Sequence, residues 1–226
     1  MYTIQKNLTR FNNLGYSYFL DPNELRLLTS KLKKNEYKIY NTYIDSEKNI
    51  VYKNNMPEVC LYEIISKVLI RHQDILGTMY SLNIASDLFG DILIIDGHYY
   101  IFILPILRNY FETNLLMIKN SHIELKEIPI DTFYDYERSY ERFQLIVSSL
   151  RIDTVISSIM HTSRSNISNL IKKKEILLNY DYLKNTDYKL HEGDVFSIHR
   201  IGKFKYYGIH KTTKGDHLII EIDKYV

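Results

Sequence analysis

The chain has 226 residues, 29 lysines and arginines against 27 aspartates and glutamates, eight histidines, one cysteine and no tryptophan. That length can bury a sizeable core in one large domain or two to three small ones, and 45% hydrophobic with 25% charged residues excludes a disordered or collagenous chain. A lone Cys60 excludes a disulfide framework and a cysteine-rich zinc module, no apolar run approaches the roughly 18–20 residues of a membrane helix, and residues 1–10 lack the apolar stretch of a secretory signal, so a cytoplasmic setting away from membranes is expected.

Asp21-Pro22 opens the first expected helix, with Asp21 as cap, Pro22 in the first turn and Glu24 at the third position. Leu25, Leu28 and Leu32 give it an apolar stripe at helical spacing. Residues 37–43 and 49–52 read as short strands joined by the polar turn Asp45-Ser46-Glu47-Lys48, and Asn54-Asn55-Met56-Pro57 is a break. Residues 1–56 are therefore expected to form an N-terminal α+β subdomain.

A second pattern fills 57–130. A β-rich run over 59–68 precedes a helix over 72–82, whose apolar residues are Ile75, Leu76, Met79 and Leu82. Gly90-Asp91 introduces a strand over 92–95, Asp96-Gly97 signals a tight hairpin turn, and 99–104 is the partner strand. Pro105 starts a second helix to about 115, and 122–128 closes the unit as a strand. The order β-α-β-β-α-β is the split βαβ arrangement of ferredoxin-like and RRM-like domains. Residues 131–148, charged and aromatic, read as a linker.

The last part, 149–226, changes character. Ile152, Val155, Ile156 and Ile159 recur at i, i+3, i+4 and i+7, and His161-Thr162 ends that helix. A second helix, capped by Thr162 or Ser163, buries Ile167, Leu170 and Ile171 and stacks Arg164, Ser168 and Lys172 on another face. Residues 176–178 and 195–198 read as strands, the latter after Gly193-Asp194. Charge concentrates here: residues 150–208 carry ten basic and six acidic side chains, against 16 and 18 in residues 1–149. Such asymmetry favours a polyanionic partner, although a solvated basic face accounts for it equally well on charge alone. The 21 tyrosines reflect a composition bias of A·T-rich codons rather than a set of stacking platforms.

The same segment resembles the S4 RNA-binding domain. Leu150-Arg151-Ile152-Asp153 opens its first helix, Ser163-Arg164-Ser165 its second, and Leu170-Ile171-Lys172-Lys173 closes that helix. Ile176-Leu177-Leu178-Asn179 and Leu190-His191-Glu192-Gly193-Asp194-Val195 follow at S4-like spacing. The flanks narrow the resemblance to the bacterial YlmH family, through Tyr18-Phe19-Leu20-Asp21-Pro22, His72-Gln73-Asp74-Ile75-Leu76-Gly77, Phe89-Gly90-Asp91-Ile92-Leu93 and the ending Ile201-Gly202-Lys203-Phe204-Lys205. There are departures. Lys174-Glu175 stands where S4 domains have a glycine after helix two, Tyr180 replaces the glycine after Asn179, and the family's glycine-rich Ala-Glu-Arg segment is poorly matched by 40–48.

The resemblance implies an α+β protein with an RRM-like middle domain and a C-terminal S4 module. It implies a non-catalytic factor that binds rRNA or tRNA on the large ribosomal subunit, in rescue of stalled peptidyl-tRNA beside a quality-control factor. S4 modules also occur on RNA-modifying enzymes, and the family sits beside cell-division genes, so an enzyme and a division-linked adaptor are the alternatives. The expected RNA contacts are Arg151, Ser163, Arg164, Ser165, Ser168, Lys172 and Lys173, with Arg200, Lys203 and Lys205 as a second set. Arginine grips a phosphate bidentately and lysine acts as a point charge; backbone N–H groups near Ser163 add to the anion site.

No catalytic, cofactor or metal site is expected, because no P-loop, Gly-x-Gly-x-x-Gly or Gly-x-Ser-x-Gly occurs and His72 and Asp74 point apart on their helix. Asp74 is expected to cap or brace the helix start. Gly90-Asp91 reads as a turn. Tyr99 and Phe102 alternate onto opposite faces of their strand, so at most one could stack on a base.

Overall fold

A computed structural model describes residues 2–225, with side chains from Ile4 onward; Met1 and Val226, the outermost positions of the expected first and last domains, lie outside the described residues. The chain divides into two compact units, Met1–Glu137 and Arg138–Val226. The first takes in both the expected N-terminal subdomain and the expected βαββαβ domain.

Helix α1 (Tyr2–Leu14) was not foreseen. Its stripe Ile4, Leu8 and Phe11 packs on Leu28 of α2 (Pro22–Thr29) and on Val51. The α2 start follows the sequence closely: Asp21 accepts from the Glu24 N–H at 2.8 Å, and Glu24 accepts from the Asp21 N–H at 3.2 Å. Strands β1 (Lys38–Tyr40) and β2 (Ile50–Tyr52) pair as a small antiparallel sheet.

Then come β3 (Cys60–Ser66), α3 (His72–Ser81), β4 (Phe89–Ile95), β5 (His98–Ile103), a 3-10 turn (Pro105–Leu107), α4 (Arg108–Asn114), β6 (Met117–Ile118) and β7 (Ser121–Ile128). The antiparallel sheet has the order β4-β5-β3-β7-β6. The turn between β4 and β5 is Asp96-Gly97, both residues left-handed (φ 51° and 82°), as that dipeptide demands.

Both faces of this sheet are covered. Alternation sends Tyr62, Ile64, Ile101 and Ile103 toward Ile75 and Met79 of α3 and Phe111 of α4. Leu61, Leu93 and Phe102 face the other way, where Phe19, Tyr43 and Ile50 from the first fifty residues seal them, with Phe133 and Tyr136 packed alongside.

Gly90-Asp91 is not a turn. Both residues lie inside β4, and a Cβ on Gly90 would stand 2.9 Å from the Phe19 ring, so the residue is small because another chain segment crosses it. Buried Asp91 accepts from the Tyr43 hydroxyl at 2.6 Å and from the Glu47 N–H at 2.7 Å, which pins the 45–48 turn to the sheet. Beside it the Lys48 ammonium donates to the carbonyls of Ser86 (2.6 Å) and Phe89 (2.9 Å). Burial pulls that amine down to about 8, against the opposing pull of Asp91, Glu24, Asp21 and Asp87.

The second unit corrects the expected linker 131–148. Residues 140–147 form strand β8 (Tyr140–Val147), paired along its whole length with β13 (Leu218–Tyr225). The physical reason is the alternation Phe143, Leu145, Val147, which faces the core while Tyr140, Arg142 and Gln144 face away. Helices α5 (Ile152–Met160) and α6 (Arg164–Lys172) follow, then β9 (Ile176–Leu178), β10 (Asp181–Tyr182), β11 (Val195–Ile198) and β12 (Gly202–Thr212). Their sheet has the order β10-β9-β11-β12-β13-β8. Val155 and Ile156 of α5 and Ile167 and Ile171 of α6 pack onto Phe196, Phe204, Tyr206 and Ile222 of one sheet face.

Candidate nucleic-acid interface

Helix α5 ends on His161, held left-handed at φ 49°, and the turn brings the first residue of α6 back against the first turn of α5. Around that junction two arginines converge. Arg151, the N-cap residue of α5, grips Asp153 in a fork, with Nε to Oδ1 at 3.1 Å and Nη2 to Oδ2 at 2.9 Å. Arg164 donates to the Thr154 hydroxyl, which itself lies 3.4 Å from Asp153 Oδ1. Asp153 is buried. Burial alone would raise its carboxyl, but the Arg151 hydrogen bonds and the charges of Arg151 and Arg164 outweigh it and hold the group below its ordinary value. Buried Asp153 thus orients the Arg151 guanidinium directly, and Thr154, beside it, holds that of exposed Arg164. The sequence reading named both arginines and missed Asp153 and Thr154, although Arg-x-Asp at a helix start is the visible signal.

Ser163 caps α6, its hydroxyl accepting from the Asn166 N–H at 3.4 Å and lying 2.8 Å from the Ser165 hydroxyl. Both serines are exposed and Ser168 is half-buried. Lys172, Lys173 and Lys174 are exposed at the other end of the helix, about 12 Å from Arg164 at 1.5 Å per residue. Their charges also complement the carbonyl end of α6.

Lys174 has φ 57°, the left-handed geometry of a residue just past a helix end, where glycine costs nothing sterically. Lys174 thus occupies a position whose backbone suits the glycine that S4 domains carry after helix two. Lys174→Gly is therefore expected to stabilise the second unit by about 1 kcal/mol, a rise in Tm of roughly 4–8 °C for a domain of this size, readable by differential scanning calorimetry. In the hairpin from β9 to β10, Asn179 and Tyr180 both take positive φ (48° and 68°) and close a two-residue turn.

The second set divides: Arg200 follows His199, whose N–H donates to the Glu175 carbonyl just past α6 at 2.9 Å, whereas Lys203 and Lys205 face elsewhere. Arg200 is exposed in the β11–β12 turn, at φ 65°. Lys203 and Lys205 alternate with Phe204 and Tyr206, so they lie on the sheet face opposite α5 and α6. The Lys203 amine donates to the Tyr180 hydroxyl at 3.1 Å and sits 4.4 Å over that ring and 4.9 Å over Tyr225. On the same face Arg142 pairs with Asp223 at 2.6 Å and lies 3.6 Å over Tyr207.

In the first unit, Tyr99 and Phe102 are both buried. The Tyr99 hydroxyl accepts from the Ile70 N–H at 2.9 Å, so neither ring is free to stack on a base. Asp74 accepts from the Arg71 N–H at 2.9 Å and pairs with Arg71 and with Lys119. Among the described residues no group of three or more His, Cys, Asp or Glu side chains could hold a metal ion, and no helix is long and apolar enough to cross a membrane.

Residues 58–132 match the family described as "Putative RNA-binding domain in YlmH". That stretch is the five-stranded sheet and its two helices. That stretch of the chain thus resembles the YlmH domain. Over a longer stretch the chain is similar to the Ribosome-associated protein quality control protein P2 of Bacillus subtilis (strain 168). The two are 24% identical over 149 residues, 66% of this chain and 58% of that protein, so the chain spans less than two thirds of its relative's length. Among solved structures it is similar to the cell division protein ylmH from Streptococcus pneumoniae, at 19% identity and a TM-score of 0.48, covering 58% of this chain and 90% of that one.

Proposed function

We propose that this chain is a YlmH-family protein, a non-catalytic, cytoplasmic RNA-binding factor that engages structured rRNA or tRNA on the large ribosomal subunit during rescue of stalled ribosomes. The name of the Bacillus subtilis relative supports the ribosomal setting. The observation that carries the RNA reading is the Arg151–Arg164 pair braced by Asp153 and Thr154 at the junction of α5 and α6. Pre-oriented forked donors suit phosphate oxygens, and Lys172 and Lys173 extend the positive ridge along the helix. We read α5, α6 and the β9–β11 strands as an S4 module.

In the first unit, the strand order β4-β5-β3-β7 supports an RRM-like reading. Its sheet face is sealed by Phe19, Tyr43 and Ile50, so the unit would meet RNA through loops and edges rather than through stacked aromatics. Recognition in this reading is of shape and phosphate more than of sequence.

The test is sedimentation with purified ribosomal subunits over a salt series. If Arg151, Arg164, Lys172 and Lys173 each meet a phosphate, affinity falls about a hundred-fold between 50 and 200 mM salt. Co-migration with the large subunit that weakens in this way is the expected result. Binding to neither subunit at low salt, with peptidyl-tRNA present, would overturn the proposal.

A further inference from the structure

The first unit carries a cleft of about 440 Å³ formed where the end of α1, the 53–58 break and the segment before α4 meet. Three of the most exposed large apolar side chains of the chain line it: Leu14, Met56 and Ile106, at 57%, 61% and 68%. Isolated exposed apolar residues are ordinary, whereas three converging on one concave site mark an interaction surface. Arg10 and Lys53 supply positive charge, and Glu58 is the one acidic residue on the lining. The Arg10 guanidinium lies 4.6 Å from the Tyr16 ring centre and 4.1 Å from that of Tyr18. Its Nε is buried with no hydrogen-bond acceptor among the described residues.

The lining also discriminates between ligand classes. A nucleobase needs an uncovered aromatic or guanidinium face, yet Arg10 already lies over Tyr16 and Tyr18, and the other apolar walls are aliphatic. Such walls take an apolar side chain, and the two cations take a carboxylate. A second cleft of about 390 Å³ shares Lys53 and Asn54 with the first.

We propose that this groove docks a peptide segment of a protein partner, one that places a carboxylate beside a leucine or phenylalanine. The site is independent of the α5–α6 ridge and stands whether or not that ridge binds RNA.

The experiment is a titration of the isotope-labelled full chain, followed by NMR, with three probes. They are the peptide acetyl-Gly-Glu-Leu-Phe-Asp-Gly-amide, its Gln/Asn counterpart, and hexauridylate. Saturable shifts are expected at Gly15, Lys53 to Met56 and Ile106 with the acidic peptide, and binding at least five-fold weaker with the neutral one. Arg10→Gln and Ile106→Ser should each weaken the acidic peptide at least five-fold while leaving RNA binding unchanged; Ile106 is exposed, so its replacement leaves the fold intact. No shifts at millimolar peptide, equal binding of the neutral peptide, or the same shifts with hexauridylate would each overturn the proposal.

Discussion

Reversing charge at both ends of α6, Arg164→Glu with Lys172→Glu, is expected to weaken binding to structured RNA by roughly 10²–10⁴-fold, since each lost charge-assisted phosphate contact removes about 1.5–3 kcal/mol. Repulsion from the new carboxylates acts in the same direction. The slope of log affinity against log salt should fall by about two, one for each phosphate contact removed. Filter binding and subunit sedimentation across a salt series read both quantities. The structure adds a control that the sequence would not have suggested. A glutamate at 164 would sit beside buried Asp153, whose pairing with Arg151 it would disturb. Lys172→Glu with Lys173→Glu avoids this, because both lysines are exposed at the helix end. Unchanged RNA binding by that second, fully folded variant would remove the α5–α6 ridge as the interface.

The second large effect is on stability. Asp91→Ala should destabilise the first unit by about 3 kcal/mol or more. The carboxylate takes hydrogen bonds from the Tyr43 hydroxyl and from the Glu47 and Lys48 N–H groups (2.6, 2.7 and 3.3 Å), and its loss strands donors in a buried setting. It also removes a counter-charge for the half-buried Lys48 ammonium. Tyr43→Phe, which removes one donor and leaves the ring against Phe102, should cost only about 1 kcal/mol. Urea denaturation measures both variants. An Asp91→Ala change no larger than that of Tyr43→Phe would show that the carboxylate is not what holds the 45–48 turn down.

Much of the element order in the first unit was legible because local chemistry and tertiary demand agree there. Asp21-Pro22-x-Glu24 caps α2, Asp96-Gly97 turns β4 into β5, and Ile75 and Met79 sit on the buried face of α3. The reading failed where a residue's role is set by a distant segment. Gly90 looks like a turn residue until Phe19 is seen crossing it. The missed strand β8 was masked by its outward residues. Tyr140, Arg142 and Gln144 made the segment look like a linker, while the core-facing Phe143, Leu145 and Val147 carried a period of two that went unread. At the candidate interface the cations were visible by spacing. The partition of Lys203 and Lys205 onto the opposite sheet face was not, because it depends on which side of β12 the helices choose to cover.

The pairing of β8 with β13 has a consequence for how the chain is made. Arg142 and its partner Asp223 are 81 positions apart, and both helices and four strands of the second unit lie between them in sequence. Contacts of such long separation form late and slowly, because loop closure must precede any return from burial. During synthesis β8 therefore waits without the strand that pairs with it until β13 has left the ribosomal tunnel. Its outward tyrosine, arginine and glutamine then act as solubilising guards on an edge that would otherwise invite pairing with another nascent chain.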